Sequence, residues 1–255
     1  MKKFLHFGLL QIQCCIFPIV IFLSLAITKH IPVPLLPRYD LILLICILTQ
    51  VFMVIGKLET IKELWIICLF HVIGLCMEIF KIQMGSWSYP EFSYIRIADV
   101  PLYSGFMYAS VASYVCQAYR RLRLKFIKWP DMRITFLLAC VIYANFFTHH
   151  FIFDFRWIII ATIVIVFFKS QVQFRIDESK YKMPLNIAFL LIGVFIWFAE
   201  NISTFFSAWA YPDQLDIWQV VHIGKITSWF LFSIIAIILV VNLKAIQEKK
   251  HKKTN

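Results

Sequence analysis

The sequence predicts an all-helical, polytopic membrane bundle of about eight transmembrane helices, and three observations predict it. Of 255 residues, 61% are hydrophobic and 15% charged, with a mean hydropathy of +0.79. A water-soluble domain carries roughly 25% charged residues, so a soluble enzyme, a disordered chain and a secreted disulfide scaffold are excluded. Apolar runs near the length of about 20 residues that one spanning helix needs then recur along the whole chain. Finally, Pro37, Pro101, Pro130, Pro184 and Pro212 fall at or near the ends of those runs, where proline costs a helix least.

The first run, 8–28, follows Met1-Lys2-Lys3. It is too long for a signal-peptide core and lacks a small-x-small cleavage site, so a retained helix is expected. The next runs are 40–56, 61–81, 100–119, 132–151, 155–172, 184–207 and 217–242, the second and sixth having the least defined ends. Cys14, Cys15, Cys46, Cys68, Cys76, Cys116 and Cys140 are odd in number, lie in apolar runs and form no CxxC pair. They read as reduced packing residues. One integral membrane domain over 1–255 is expected, with a basic cytoplasmic tail at 246–255.

An even number of spans puts both termini and the even-numbered loops on one side. That side holds 19 of the 25 lysines and arginines, the densest block being Arg120, Arg121, Arg123, Lys125, Lys128 and Arg133. Both termini are therefore expected in the cytoplasm. The net charge of +11 fringes the helices, which suits topology and anionic lipid and gives no support for nucleic acid. The bilayer is the expected partner, together with a lipophilic small molecule; the oligomeric state is left open.

A finer regularity lies between the third and seventh runs. Glu78 leads through Gly85-Ser86 to Trp87-Ser88-Tyr89-Pro90-Glu91, and Glu200 leads through Ser207-Ala208 to Trp209-Ala210-Tyr211-Pro212-Asp213. The offset is 122 residues in every member. It predicts two parallel four-helix repeats, about 1–125 and 126–245, around an axis along the membrane normal. Coincidence combined with an outer aromatic belt is the other explanation.

Ionisable groups inside spans are the sharpest functional pointers, because each costs roughly 2.5 to 3.5 kcal/mol at a helix centre unless partnered. Glu78, Glu200, Lys225 and His222 stand out. A rise of 1.5 Å per residue puts both glutamates about 23 to 25 Å from the inner helix starts and Lys225 about 12 Å below its outer one. A shared cluster in the outer half is therefore feasible. His71 lies seven residues before Glu78, while His222 and Lys225 share a stripe with Trp218 and Trp229. A carboxylate pair in an apolar pocket can donate a proton and stabilise a cation, or relay protons; alternatively, Lys225 only neutralises a glutamate and ties helices together.

His149, His150 and Asp154 are chemically suitable as metal ligands, but one His-His pair falls short of the repeated histidine boxes of a di-iron membrane enzyme. Interfacial pairing of the histidines with Asp154 competes with that reading, and neither metal nor cofactor is expected. Arg96 is a candidate to hold an anionic group, or else a partner of Asp99 or Glu91. Walker, GxGxxG, GxSxG, HExxH and CxxC motifs do not occur, which leaves nucleotide hydrolysis, dinucleotide redox and common hydrolase chemistry without support.

His71 through Pro90, Val100 through Tyr108, Thr148-His149-His150-Phe151 with Asp154 and Arg156, and Ala199-Glu200-Asn201 with Trp209, Tyr211 and Pro212 resemble the YoaT-like bacterial membrane family, a domain of unknown function. The resemblance runs from about residue 40 onward. It implies a multi-pass protein of the bacterial inner membrane. A weaker similarity, through Glu78, Gly85, Trp87, Tyr89, Val100 and Pro101, is to membrane carotenoid cyclases and hydratases, although their Pro-x-Glu-Glu element is missing. The leading expectation is thus a cofactor-independent cyclase-, hydratase- or isomerase-type enzyme acting on an isoprenoid-like substrate. Glu78, Glu200 and Lys225 would be catalytic, and His71, Trp87, Tyr89, Arg96, Asn201, Trp209, Tyr211 and His222 would bind substrate. A proton-coupled transporter or permease and a non-catalytic assembly protein are the alternatives.

Overall fold

The computed structural model describes residues 2–31 and 33–254, with side chains as far as Ala245. In the described residues nine α-helices hold nearly all of the apolar runs: α1 Lys2–Cys14, α2 Ile16–His30, α3 Arg38–Ile55, α4 Ile61–Gln83, α5 Tyr103–Arg121, α6 Met132–Thr148, α7 Arg156–Val166, α8 Leu185–Phe205 and α9 Lys225–Thr254. Among the described residues, α3, α4, α8 and α9 as far as Ala245 are long and apolar enough to cross a membrane. They make four candidate spans, or five if α1 and α2 together form one.

Several expected boundaries are corrected. The first run is two helices at 70°, because Pro18 in the first turn of α2 has no N–H and its ring opposes the carbonyl of Cys14. The sixth run, expected as a helix over 155–172, stops at Val166. Beyond it Val172, Phe174 and Ile176 alternate, and Gln171–Ile176 (β4) pairs antiparallel with Lys125–Ile127 (β3) and Ser179–Pro184 (β5). The bundle is therefore mostly helical rather than all-helical. The 11 residues of α7 reach only about 16 Å. The eighth run, expected to be helical from 217, becomes helical only at Lys225. Lys225 thus opens a helix instead of lying two turns inside it. The tail expected at 246–255 continues α9 to Thr254, and its side chains lie outside the described residues.

Packing centres on two helices: α5, which contacts α1, α2, α3, α4 and α9, and α9, which contacts α4, α5, α6 and α8. Phe230 to Ile238 are accordingly all buried, which explains why this helix is apolar all round. Two glycines let α4 and α5 approach. A Cβ on Gly74 would come within 2.4 Å of the Tyr108 ring, and one on Gly105 within 2.6 Å of the His71 ring. A second cluster, with Tyr39, Tyr103, Trp209 and Tyr211, closes the end of the molecule where α4 and α8 terminate. A short hairpin, Arg96–Ile97 (β1) with Val100–Pro101 (β2), lies at the same end.

The ends of α4 and α8 are built alike. Met84 N–H donates to Phe80 and Ser86 N–H to Lys81, at 3.0 and 2.9 Å; Phe206 N–H donates to Ile202 and Ala208 N–H to Ser203, at 3.1 and 2.9 Å. Each is a Schellman turn, whose last position requires a left-handed residue. Gly85 meets it freely at φ 66°, and Ser207 adopts it at φ 56°. The two chains then meet, Ser88 and Ala210 exchanging N–H···O bonds of 2.9 Å in both directions. All of these positions, and the starts of α5 and α9 at Tyr103 and Lys225, differ by 122 residues.

Candidate functional site

Glu78 and Glu200 are 4% and 3% exposed, so every carboxylate oxygen must find a donor. For Glu78 the donors are the Trp87 indole and the Tyr89 hydroxyl on Oε2, each at 2.7 Å, and the Tyr108 hydroxyl on Oε1. For Glu200 they are the Tyr211 hydroxyl on Oε1 at 2.5 Å and the Trp229 indole on Oε2 at 2.7 Å. The Schellman turns produce this: reversing the chain just past each helix brings Trp87, Tyr89 and Tyr211 back over the glutamate nine to eleven residues earlier.

Two aromatic pairs connect the carboxylates. Trp87, bound to Glu78, meets Tyr211, bound to Glu200, edge to face at 6.0 Å between centroids. Tyr108, bound to Glu78, lies 6.2 Å from Trp229, bound to Glu200. The Lys225 ammonium stands over the first pair, 4.3 Å from the Tyr211 centroid and 5.1 Å from that of Trp87. These are cation–π distances. No carboxylate lies within the 4 Å ion-pair range of Lys225 among the described residues, so its direct contacts are the two aromatic rings.

Glu78, Glu200, Lys225, Trp87, Trp209, Tyr211 and His222 line one cavity of about 1010 Å³. Its remaining walls are largely apolar and come from α1, α2, α5, α8, α9 and β4. Along α8 the lining runs from Leu185 to Ser203, about 27 Å at helical rise. Phe195 and Phe198 belong to this wall and are 70% and 54% exposed, so the cavity reaches the apolar flank of the bundle.

Other expected site residues lie elsewhere. His71 is absent from the cavity wall; it packs against Phe106 at 4.7 Å, and its Nδ1 is buried without a partner. Tyr89 contributes through Glu78 from behind the wall. Asn201 accepts from Val221 N–H at 2.9 Å and donates to the Trp197 carbonyl at 2.8 Å, pinning the loop ahead of α9. Arg96 is exposed on the hairpin, 3.6 Å from Asp99, because the turn between β1 and β2 holds the pair at the surface. It therefore does not reach the glutamates.

The His149, His150 and Asp154 set is divided between other partners. The Lys81 ammonium donates to His149 Nε2 at 3.2 Å and to His150 Nε2 at 2.7 Å, while His149 Nδ1 faces the Asn145 carbonyl at 2.8 Å. Asp154 accepts from Asn145 and pairs with Arg156. A cation therefore occupies the imidazole nitrogens that a metal would use, and no group of three candidate ligands converges among the described residues.

Sequence reasoning missed Tyr108, Lys81 and Arg156 as wall residues and Trp229 as a carboxylate donor. Lys81 was within reach, being three residues after Glu78 and on the same helix face, and so was Trp229, four after Lys225. Tyr108 depends on the close α4–α5 approach at Gly74, for which the local pattern gives no signal.

Residues 3–237 match the family model described as "Protein of unknown function (DUF817)". The chain is also 54% identical over 252 residues to the "Uncharacterized protein YoaT" of Bacillus subtilis (strain 168), covering 99% of this chain and 96% of that one. The chain belongs to the DUF817 family. Among solved structures, a mycobacterial Insig homolog from Mycobacterium vanbaalenii aligns over 71% of this chain and 93% of its own with a TM-score of 0.50 at 13% identity. That likeness is one of fold. A cross-linked trimer of the same homolog aligns with a TM-score of 0.48 at 14% identity, over 73% and 96%.

Proposed function

We propose that the protein is a membrane-embedded enzyme that admits an apolar, isoprenoid-like molecule into the cavity and acts on it by acid–base chemistry at Glu78 and Glu200. The observation that carries this reading is that both glutamates and Lys225 face one long, largely apolar cavity. Water-poor walls strengthen any charge interaction inside them. The Tyr108 and Tyr211 hydroxyls, which both donate and accept, connect the carboxylates to the cavity and can pass a proton. The ring of Trp229 would stabilise a carbocation by cation–π attraction. One glutamate then serves as acid and the other as cation stabiliser, with no cofactor.

The test is comparative lipid and metabolite profiling of a deletion strain complemented with wild type, Glu78→Gln or Glu200→Gln. A lipophilic species should accumulate on deletion and be cleared only by the wild type. An unchanged profile, or full rescue by both glutamine variants, overturns the enzyme reading. A non-catalytic role is favoured by one observation, the saturation of both carboxylates by donors of the protein itself. A transporter would use the same three groups for coupling and would need a water path from each face.

We further infer that residues 1–125 and 126–245 are related halves of an eight-span protein of the bacterial inner membrane, with both termini cytoplasmic. The 122-residue register of two helix ends, two Schellman turns and the Ser88–Ala210 bridge supports the halves; the basic asymmetry of the loops supports the topology. Reporter tags after Lys253 and near Lys128 should be cytoplasmic and one near Asp213 external. An external C-terminus would sink the eight-span arrangement.

A further inference from the structure

The polar end of the cavity holds three cationic side chains beside its two glutamates. Lys81, Arg156 and Lys225 all line it, joined by His149 and His222. Neither Lys81 nor Lys225 has a carboxylate within 4 Å among the described residues. Lys81 donates to two imidazoles, and Lys225 rests on two aromatic rings. Arg156 is shared between Asp154 at 3.4 Å and the Thr227 hydroxyl at 3.2 Å, and its Nε is buried without a partner. Neutral Trp and Tyr donors hold the glutamates, and neither glutamate makes a direct ion pair with Lys81, Arg156 or Lys225 among the described residues.

Ammonium groups at the end of an apolar cavity are costly, and an anion that joins them lowers that cost. The geometry points to a ligand with two parts: an anionic headgroup, phosphate or carboxylate, seated among Lys81, Arg156 and Lys225, and a long apolar chain lying along α8. Lys81 and Lys225 would supply point charges, and Arg156 the planar fork suited to such oxyanions. The walls reached by the chain extend from Ser203 to Leu185, about 27 Å, so a chain comparable to one lipid tail is accommodated. This inference rests on the cavity being a ligand site, as proposed above, and assigns the chemical class of what enters it.

The experiment measures binding, so it does not depend on turnover. The full chain, purified in a neutral maltoside detergent, is titrated with hexadecyl phosphate, palmitate, hexadecanol and inorganic phosphate, following tryptophan fluorescence and displacement of a fluorescent fatty acid. The two anionic amphiphiles should bind at least about tenfold more tightly than hexadecanol, as expected when a charge-assisted contact is gained. Lys81→Gln and Lys225→Gln should each erase most of that preference, read within each variant as the ratio of hexadecyl phosphate to hexadecanol affinity. Equal affinity for hexadecanol and hexadecyl phosphate in the wild type overturns the headgroup assignment, whatever the variants do. Equal competition by inorganic phosphate also overturns it, by showing a site for a free anion. A strong preference with no change in the deletion strain's lipids would sustain this inference and sink the enzymatic reading; conversion of a neutral lipid without the preference would do the reverse.

Discussion

Glu59 and Glu63, at the start of α4, and Glu78 and Glu200, near the ends of α4 and α8, are almost equally buried, at 2%, 0%, 4% and 3% exposure. They are satisfied in opposite ways. Glu63 caps its own helix with Thr60 and pairs with Lys244 at 2.8 Å and Arg120 at 3.6 Å, while Glu59 accepts from Gln50 at 2.6 Å and from Ser113. Cations, an amide and a hydroxyl close this group, which has no part in the large cavity. At the other end, about 22 Å along α4 from Glu63 to Glu78, neutral aromatic donors hold the carboxylates, and Lys81 and Lys225 line the cavity with no carboxylate within 4 Å among the described residues. Ion pairing at one end uses its charge to hold helices together, whereas aromatic hydrogen bonding at the other leaves charge available to a ligand.

The contrast breaks most visibly at Glu63. Glu63→Ala takes the carboxylate from the partly buried Lys244 and Arg120 and from the Thr60 N–H of the helix cap, and losing these charge-assisted bonds together costs about 2–3 kcal/mol. Thermal unfolding in detergent should show a larger loss of stability than any single change at Glu78, Trp87 or Glu59, with lipid binding in the surviving folded fraction intact. A variant as stable as wild type would remove the structural half of the comparison.

Glu78→Gln should reverse the balance. The amide keeps one acceptor but turns its NH2 toward either Tyr108 or the Trp87 and Tyr89 pair, at a cost of about 1–3 kcal/mol. The protein should still insert and fold, while substrate conversion is lost. Trp87→Phe removes a single donor to Glu78 and should cost about 1 kcal/mol, with activity reduced and not abolished. If Glu78→Gln and Trp87→Phe lower stability as much as Glu63→Ala without touching activity, the two ends are equivalent anchors.

How far this division is legible in the sequence depends on the range of the contacts. Each helix-borne glutamate lies twelve residues from the proline of its own W-x-Y-P tail, and the 122-residue register appears when the chain is aligned with itself, so reading along the chain finds them. The donors Tyr108 and Trp229 come from neighbouring helices. Likewise, Arg38 reaches Glu91 at 2.5 Å and the Phe206 carbonyl at 2.5 Å, and Asp40 accepts from Ser93 and from the Tyr94 and Ile95 N–H groups. Such partners follow from helix packing, which hydropathy does not encode. The β3–β4–β5 sheet is hidden for a different reason: Lys169-Ser170-Gln171 reads as the frayed end of a helix, although the alternation after it is a strand signal.

The smallest effect, and the sharpest for the inner group, is expected at Glu59, in the turn between α3 and α4. Burial pushes its carboxyl above the usual range; the hydrogen bonds from Ser113 and Gln50 oppose that shift, the Glu63 charge adds to it, and Arg120 opposes it. The folded protein therefore holds this proton over a pH interval in which the unfolded chain has released it. Through linkage, the Glu59 contribution to stability falls as pH rises from the ordinary carboxylate range to the raised folded value, and is constant beyond. Glu59→Gln removes that slope. The new amide keeps an acceptor for Ser113, and Gln50, whose Oε1 is buried without a partner, can turn that oxygen toward the added NH2. The variant should thus match or slightly exceed wild-type stability near neutral pH and lose any advantage at acid pH, read as the difference between the two melting temperatures across a pH series. A variant less stable than wild type by the same amount at every pH would mean that the ionised form is the one this site is built around, and the inner acids would then resemble the outer pair more closely than their partners indicate.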